Sequence, residues 1–142
     1  SRGILPTSIS WSACSSADAL DRRDPAPGSL GDRLAAEFGA QITRVISNGE
    51  LWRAKLRLAA LHAELRAVEH DADAVARARA AQLIADAQAA GEVRASVDPQ
   101  EAAGLFLAQL TGTVREWVNA EGAFDLVERV DQRIRAFAKL LA

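Results

Sequence analysis

Apolar residues recur every three or four positions along most of residues 30–142, which is the spacing of a helix face. We find no strand pattern, in which apolar and polar residues would alternate. The apolar pattern divides into five segments. It predicts helices at Leu30–Ser47, Glu50–Glu69, Asp73–Ala90, Pro99–Glu121 and Leu126–Leu141. The sequence therefore predicts an all-α fold, a helical bundle of about five main helices.

The first three predicted helices differ in their apolar faces. The first has one buried face, made of Leu34, Phe38, Ile42, Val45 and Ile46. The second has two stripes: one holds Leu51, Ala54, Leu58, Leu61, Leu65 and Val68, and the other holds Trp52, Leu56, Ala59, Ala60 and Ala63. Two apolar faces predict a central helix, since each face needs a neighbour. The third is mostly alanine, and we expect it to be thin and peripheral.

The fourth predicted helix has the clearest end signals. Asp98 suits the N-cap, Pro99 the first helical position, and Glu101 the reciprocal position of a capping box, while Gly122 suits a left-handed stop. Its core face holds Ala103, Phe106, Leu107, Leu110, Val114 and Trp117. A second stripe holds the small residues Gly104, Ala108 and Gly112, flanked by Leu105 and Arg115. Because glycine inside a helix costs about 0.5–1 kcal/mol relative to alanine, this stripe favours close approach of another helix.

The fifth predicted helix has a wide apolar arc. Asp125 and Glu128 repeat the capping-box spacing at its start. The arc holds Leu126, Val127, Val130, Ile134, Phe137, Ala138 and Leu141. A single neighbouring helix would not cover so wide an arc, so we expect this helix to have more than one neighbour.

Residues 1–29 differ from the rest in composition. They are rich in serine and are interrupted by Pro6, Pro25 and Pro27. We predict an arm or linker of low order at 1–29, followed by one helical domain at 30–142.

Charge and chemistry narrow the classes of function. Lysine and arginine total 17 against 19 aspartate and glutamate, a formal net charge of −2, and no basic stripe typical of DNA binding is present. The single cysteine, Cys14, has no partner for an internal disulfide, which favours a cytoplasmic protein. No apolar run approaches the roughly 20 residues that a membrane-spanning helix needs. We find no pattern of metal, cofactor or catalytic residues, and we expect neither a cofactor nor an enzyme.

Several short motifs in the second half of the chain carry a resemblance. These are A-A-G-E-V-R, then D-P-Q-E-A-A, then a long apolar helix with L-T-G and E-W, and finally A-F-D-L. In order and spacing, from about residue 87 to 142, they resemble the C-terminal half of the TetR family of transcriptional repressors. That resemblance implies a domain that dimerises through its last two helices and binds a small inducer. DNA would be bound only through a helix-turn-helix domain, whose pattern we do not find in this sequence.

Two sets of site residues follow from these patterns and from the resemblance. The two-faced second helix predicts an apolar pocket among the first, second and fourth helices, for a small and largely apolar ligand. Its candidate wall residues are Trp52, Leu56, His62, Phe106 and Trp117. A two-fold homodimer is expected to pair through Gly104, Leu105, Ala108, Gly112, Arg115, Val130 and Phe137. The alternatives are a helical protein-interaction module without a ligand cavity and, less favoured, an enzyme on a helical scaffold.

Overall fold

The structure, a computed structural model, describes residues 28–59 and 62–142. Five α-helices follow one another in this part of the chain: α1 Leu30–Ser47, α2 Gly49–Ala59, α3 Ala63–Ala89, α4 Pro99–Asn119 and α5 Leu126–Leu141. No strand occurs among the described residues. The prediction of an all-α helical bundle is confirmed. The predicted N-terminal arm, with Cys14, lies outside the described residues apart from Gly28 and Ser29.

The helices share one core. Helix α3 packs along α4, α1 packs along α5, and α4 also packs against α5. Phe106 on α4 lies at the centre, with its ring centroid 5.1 Å from that of Phe38 on α1 and 5.3 Å from that of Phe137 on α5. The edge-on contact with Phe38 is a favoured geometry for aromatic pairs. These rings therefore join three helices into a single hydrophobic cluster.

The ends of the helices follow local signals in the sequence. The Ser29 hydroxyl accepts a hydrogen bond from the Asp32 backbone N–H at 3.2 Å, and the Asp32 carboxylate accepts one from the Ser29 N–H, which makes a capping box at α1. Asp125 caps α5 by accepting from the Glu128 N–H. Asp98 caps α4 as predicted, but it accepts from the N–H of Gln100. The predicted capping box with Glu101 is therefore not the arrangement found.

Glycines mark the ends of two helices. Gly91 follows α3 with φ of 85°, and Gly122 follows α4 with φ of 76°. A side chain is strained at such angles, so glycine favours the helix stop after α3, whereas after α4 Glu121, with φ of 55°, is the first left-handed residue. Gly122 has the left-handed angle that was predicted, but α4 ends at Asn119 and the left-handed stop begins one residue earlier, at Glu121.

The predicted boundary between the second and third helices is wrong. Residues 63–89 are helical through His70 and Asp73, and the break falls between Ala59 and Ala63, where His62 has extended backbone angles. No glycine or proline marks this break in the sequence.

The expectation that the alanine-rich third helix is peripheral is also wrong. Its inward face is buried in the core and consists of Ala76, Ala80, Ala81, Leu83, Ile84 and Ala87. Small side chains let two helix axes approach closely, because interaxial distance depends on the residues at the contact. Alanine here marks a tight contact with α4 rather than a missing one.

Burial near the corner between α1 and α2 differs from the prediction. Ile46 is 40% exposed and Leu51 is 42% exposed, although both were placed on buried faces. Lys55, one turn further along α2, is only 6% exposed. The inward face of this short helix therefore includes a lysine, which no apolar pattern predicts.

The segment between α3 and α4 is tied to the end of α5. The Arg94 N–H donates to the Leu141 carbonyl at 2.9 Å, and the Arg94 guanidinium donates to the Leu140 carbonyl. The Gln88 side-chain amide donates to the carbonyls of Arg94 and Val97. These bonds satisfy backbone groups that would otherwise be left unpaired at the chain turn. Among the described helices, none is long and apolar enough to cross a membrane.

Candidate functional site

Helices α4 and α5 form an antiparallel pair with one buried and one exposed side. Phe106 contacts Phe137, and seven residues further along α4 the Thr113 hydroxyl accepts a hydrogen bond of 2.7 Å from Arg133. Arg133 also pairs with Glu116 at 2.9 Å. The numbering rises along one helix as it falls along the other, so residues of the pair whose numbers sum to about 245 lie at the same level.

The exposed side of this pair carries large apolar side chains. Leu105 on α4 is 67% exposed, and Leu140 on α5 is 71% exposed. The antiparallel register places them at the same level, near one end of the pair. We call the surface formed by Leu105, Gln109, Ala136 and Leu140 the α4–α5 face. Single exposed leucines are ordinary, but two at one level of an adjacent helix pair form an apolar surface.

Gln109 lies one turn along from Leu105 on this face. Both of its side-chain amide atoms are buried, yet neither has a hydrogen-bond partner in the part of the chain that the structure describes. A buried polar group without a partner costs about 1–3 kcal/mol. The unpaired amide of Gln109 therefore lies beneath the exposed apolar surface of the α4–α5 face and not on it.

A groove lies on the other side of α4, where α3 packs against it. We call it the arginine groove; its volume is about 340 Å³. It is lined by Asp73, Arg77, Gly104, Leu107, Ala108, Thr111, Gly112 and Arg115. The small-residue stripe of α4 forms its floor, and neither arginine makes an ion pair with a described residue.

A second groove, of about 370 Å³, lies where α1 begins and α5 ends. Its carboxylate and guanidinium groups are used in bonds within the fold, while the Lys139 side chain has none with a described residue. The Glu92 carboxylate accepts from the Leu30 N–H and from Arg33, both at 2.9 Å. Asp32 pairs with Arg135 at 2.7 Å, and this hydrogen bond holds the pKa of the Asp32 carboxyl below its ordinary value. These contacts fasten α1 to the rest of the bundle and leave little polar chemistry for a ligand.

The predicted pocket residues occupy different environments. Phe106 is completely buried, and Trp117 is half-buried against Gly49 and Gly122. His62 is exposed at the position before α3. The side chains of Trp52 and Leu56 lie outside the described part of the chain, so the pocket remains a prediction.

Lys55 is a feature of α2 that the sequence analysis missed. Its burial lowers the pKa of the ammonium group, because removing a charge from water favours the neutral form. No local signal distinguishes this lysine from a solvated one. It shows that α2 turns a polar side chain toward the interior.

The predicted dimer residues divide into three groups. Leu105, Ala108, Gly112 and Arg115 are exposed, Gly104 is half-buried beneath Arg77, and Phe137 is half-buried against Phe106. Val130 is only 2% exposed, because it packs in the core of its own chain. Val130 is therefore not available at the surface of a single chain, and the predicted dimer interface as a whole stays a prediction. Leu140, which the prediction omitted, is more available to a partner.

Comparison with known proteins adds no relative. No family profile matches the chain, and neither the curated proteins nor the solved structures contain a significant match.

Proposed function

We propose that residues 30–142 form the dimerisation and effector-sensing domain of a TetR-type transcriptional regulator. A second copy of the chain would be the partner, and a small, largely apolar molecule the effector. Binding of the effector would release the regulator from its operator, with DNA held by a helix-turn-helix domain outside residues 30–142. The proposed role is one of binding and not of catalysis.

The α4–α5 face carries the dimerisation part of this proposal. It exposes Leu105 and Leu140 and holds the unpaired amide of Gln109. Against a second copy, α4 and α5 of both subunits would make a four-helix bundle, and the two leucines would leave water. In a two-fold interface each residue near the axis meets its own copy. Both amide atoms of Gln109 are already buried within one chain, so the two leucines and not this amide carry the interface.

The sensing part rests on the resemblance to the TetR family, since residues 50–69, whose two apolar faces predicted the pocket, are divided between α2 and α3 in the structure. Trp117 supports it, since this large aromatic side chain lies half-buried between Gly49, at the start of α2, and Gly122, after α4. An apolar effector would be held by such aromatic surface together with the other predicted wall residues, Trp52, Leu56, His62 and Phe106.

Sedimentation equilibrium on the purified chain tests dimerisation. We expect a dimer for the natural sequence and a monomer for Leu140→Lys, because two lysines would be buried opposite each other. Val75→Lys is the matched control: Val75 is 47% exposed on α3, away from the α4–α5 face. If Leu140→Lys sediments as the natural dimer does, the α4–α5 face is not the interface.

A thermal-shift screen with small apolar compounds tests sensing. A saturable rise in melting temperature that Trp117→Ala reduces would support the predicted pocket. A chain that stays monomeric and responds to no compound would favour the alternative, a helical protein-interaction module that uses the α4–α5 face for a different partner.

A further inference from the structure

We propose that the arginine groove is an anion-binding site that takes an elongated organic dianion with a carboxylate at each end. This site is separate from the predicted apolar pocket, and it shares Gly104, Ala108, Gly112 and Arg115 with the dimer interface that the sequence predicts. The inference does not depend on the proposed regulatory function.

The guanidinium of Arg77 lies over Gly104, the first residue of the small-residue stripe. A Cβ atom built on Gly104 would lie 3.8 Å from both Cζ and Nε of Arg77 and 3.9 Å from Nη2. Three nearly equal distances mean that the flat face of the guanidinium, and not its edge, lies over the glycine. The N–H bonds lie in the plane of the group, so this packing leaves them free to donate. Arg77 is thus held in place on α4 without using its hydrogen bonds.

Arg115 supplies the other end of the groove. Gly104, Ala108, Thr111 and Arg115 are spaced along one face of α4, and all four line the groove. Gly104 and Arg115 are separated by about 16 Å along the helix axis at about 1.5 Å per residue. Helical side chains lean toward the N-terminus, so Arg115 leans back along the groove toward Ala108. Two guanidiniums therefore bracket a floor of small side chains.

Both guanidiniums are available to a ligand. Neither Arg77 nor Arg115 has an ion pair or hydrogen bond with another described residue, whereas Arg33, Arg79, Arg133 and Arg135 all pair with carboxylates. The planar fork of arginine matches a carboxylate with two parallel hydrogen bonds. The small floor lets a ligand backbone lie close to α4, and the Thr111 hydroxyl adds a polar contact.

Asp73 should weaken the binding of an anion in this groove. It lines the same groove and already has a contact of its own, so its carboxylate adds negative charge without being a free ligand. Like charge opposes binding of an anion. Removing that charge should therefore strengthen anion binding, while removing either arginine should weaken it.

Calorimetric titration of the full chain at low ionic strength tests the proposal. The probes are succinate, adipate and suberate, with octanoate as a monocarboxylate of matched length and inorganic phosphate as a compact anion. We expect saturable binding of one dicarboxylate length above the others. We expect Arg77→Gln and Arg115→Gln each to weaken it by about tenfold or more, since charge-assisted hydrogen bonds are about twice as strong as neutral ones. Asp73→Asn should bind more tightly than the natural chain.

The control variant is Arg44→Gln, which removes the same charge from an exposed position in the last turn of α1. It should bind as the natural chain does. The monomer-directed variant Leu140→Lys should also retain binding, which separates this site from the dimer. Circular dichroism melts would show that each variant is folded. Absence of saturable binding, equal binding of phosphate or octanoate, or equal loss in Arg44→Gln would overturn the proposal.

Discussion

Replacing Gly112 with leucine separates the stability of one chain from the stability of the proposed dimer. A Cβ atom built on Gly112 meets no other atom within 4 Å, and the residue is exposed in the middle of α4. The new side chain therefore has room in the single chain. Glycine is about 0.8–1.0 kcal/mol less favourable than alanine inside a helix, and leucine is nearly as favourable as alanine. We expect Gly112→Leu to stabilise the monomer by about 0.5–1 kcal/mol.

The dimer should respond in the opposite direction. Gly112 lies three residues beyond Gln109 on the same side of α4, so in a dimer that pairs through the α4–α5 face each added side chain must displace a packed neighbour, which costs about 1–3 kcal/mol. A two-fold interface contains the change twice, so the total is about 2–6 kcal/mol. At about 1.4 kcal/mol per tenfold, the dimer dissociation constant should rise by roughly thirtyfold or more.

Gly39→Leu is the matched control. Gly39 lies inside α1, and a Cβ atom built there also meets nothing within 4 Å. The same gain in helix propensity is expected without an effect on association. Sedimentation equilibrium gives the dissociation constant, and urea unfolding at the lowest usable concentration gives the stability of the chain. A Gly112→Leu dimer with an unchanged constant would refute the close approach of two α4 helices at this residue.

Three further predictions concern the fold itself. Phe106→Ala should lower the free energy of unfolding, measured in urea, by about 3–5 kcal/mol. Removal of this fully buried ring would leave a cavity at the meeting point of three helices. A loss below about 1 kcal/mol would contradict its central place. Asp32→Asn should lower the melting temperature at pH 7. The gap should close as the pH falls below about 4: the pair with Arg135 lowers the pKa of Asp32 in the folded state, so the stability it adds is present above the unfolded pKa and is lost as pH falls through the folded pKa. A gap that is constant from pH 7 to pH 2 would contradict this. Gly91→Ala should lower the stability of the fold by about 1–2 kcal/mol, measured by thermal unfolding, because φ at this position is 85°. A Cβ atom there would meet no other atom within 4 Å, so the cost comes from the backbone angle and not from a clash. An unchanged melting temperature would mean that the backbone relaxes.

Local signals accounted for helices α1, α4 and α5. The bounds of α1 and α5 match the prediction, and those of α4 differ only at its end. Each of these helices begins at a side-chain cap, at Ser29, Asp98 and Asp125. Caps depend on residues within one turn, so they can be predicted from the sequence without knowing what the helix packs against. The core face of α4 was also predictable from the sequence, because a long apolar stripe on a helix is removed from water when that side of the helix faces the interior.

For the candidate site, the sequence predicted single residues but not which residues of different helices lie together. It selected Leu105, Gly112 and Arg115 on α4, and all three are exposed. It did not select Leu140, Arg77 or the partnership of Thr113 with Arg133. Each of these depends on a second helix at a particular level. Residue spacing along one helix contains no such information.

Tertiary packing alone decided the remaining features. No glycine or proline near residues 59–63 predicts that α2 ends at Ala59 and that α3 begins at Ala63. The burial of Lys55 and of the alanine face of α3 follows from which helices come together. Val130 was placed in an interface because its arc looked too wide, yet its own chain covers it. The sequence determined where the helices cap and which stripes are apolar, because those are short-range properties; their partners were decided by packing among segments far apart in the chain.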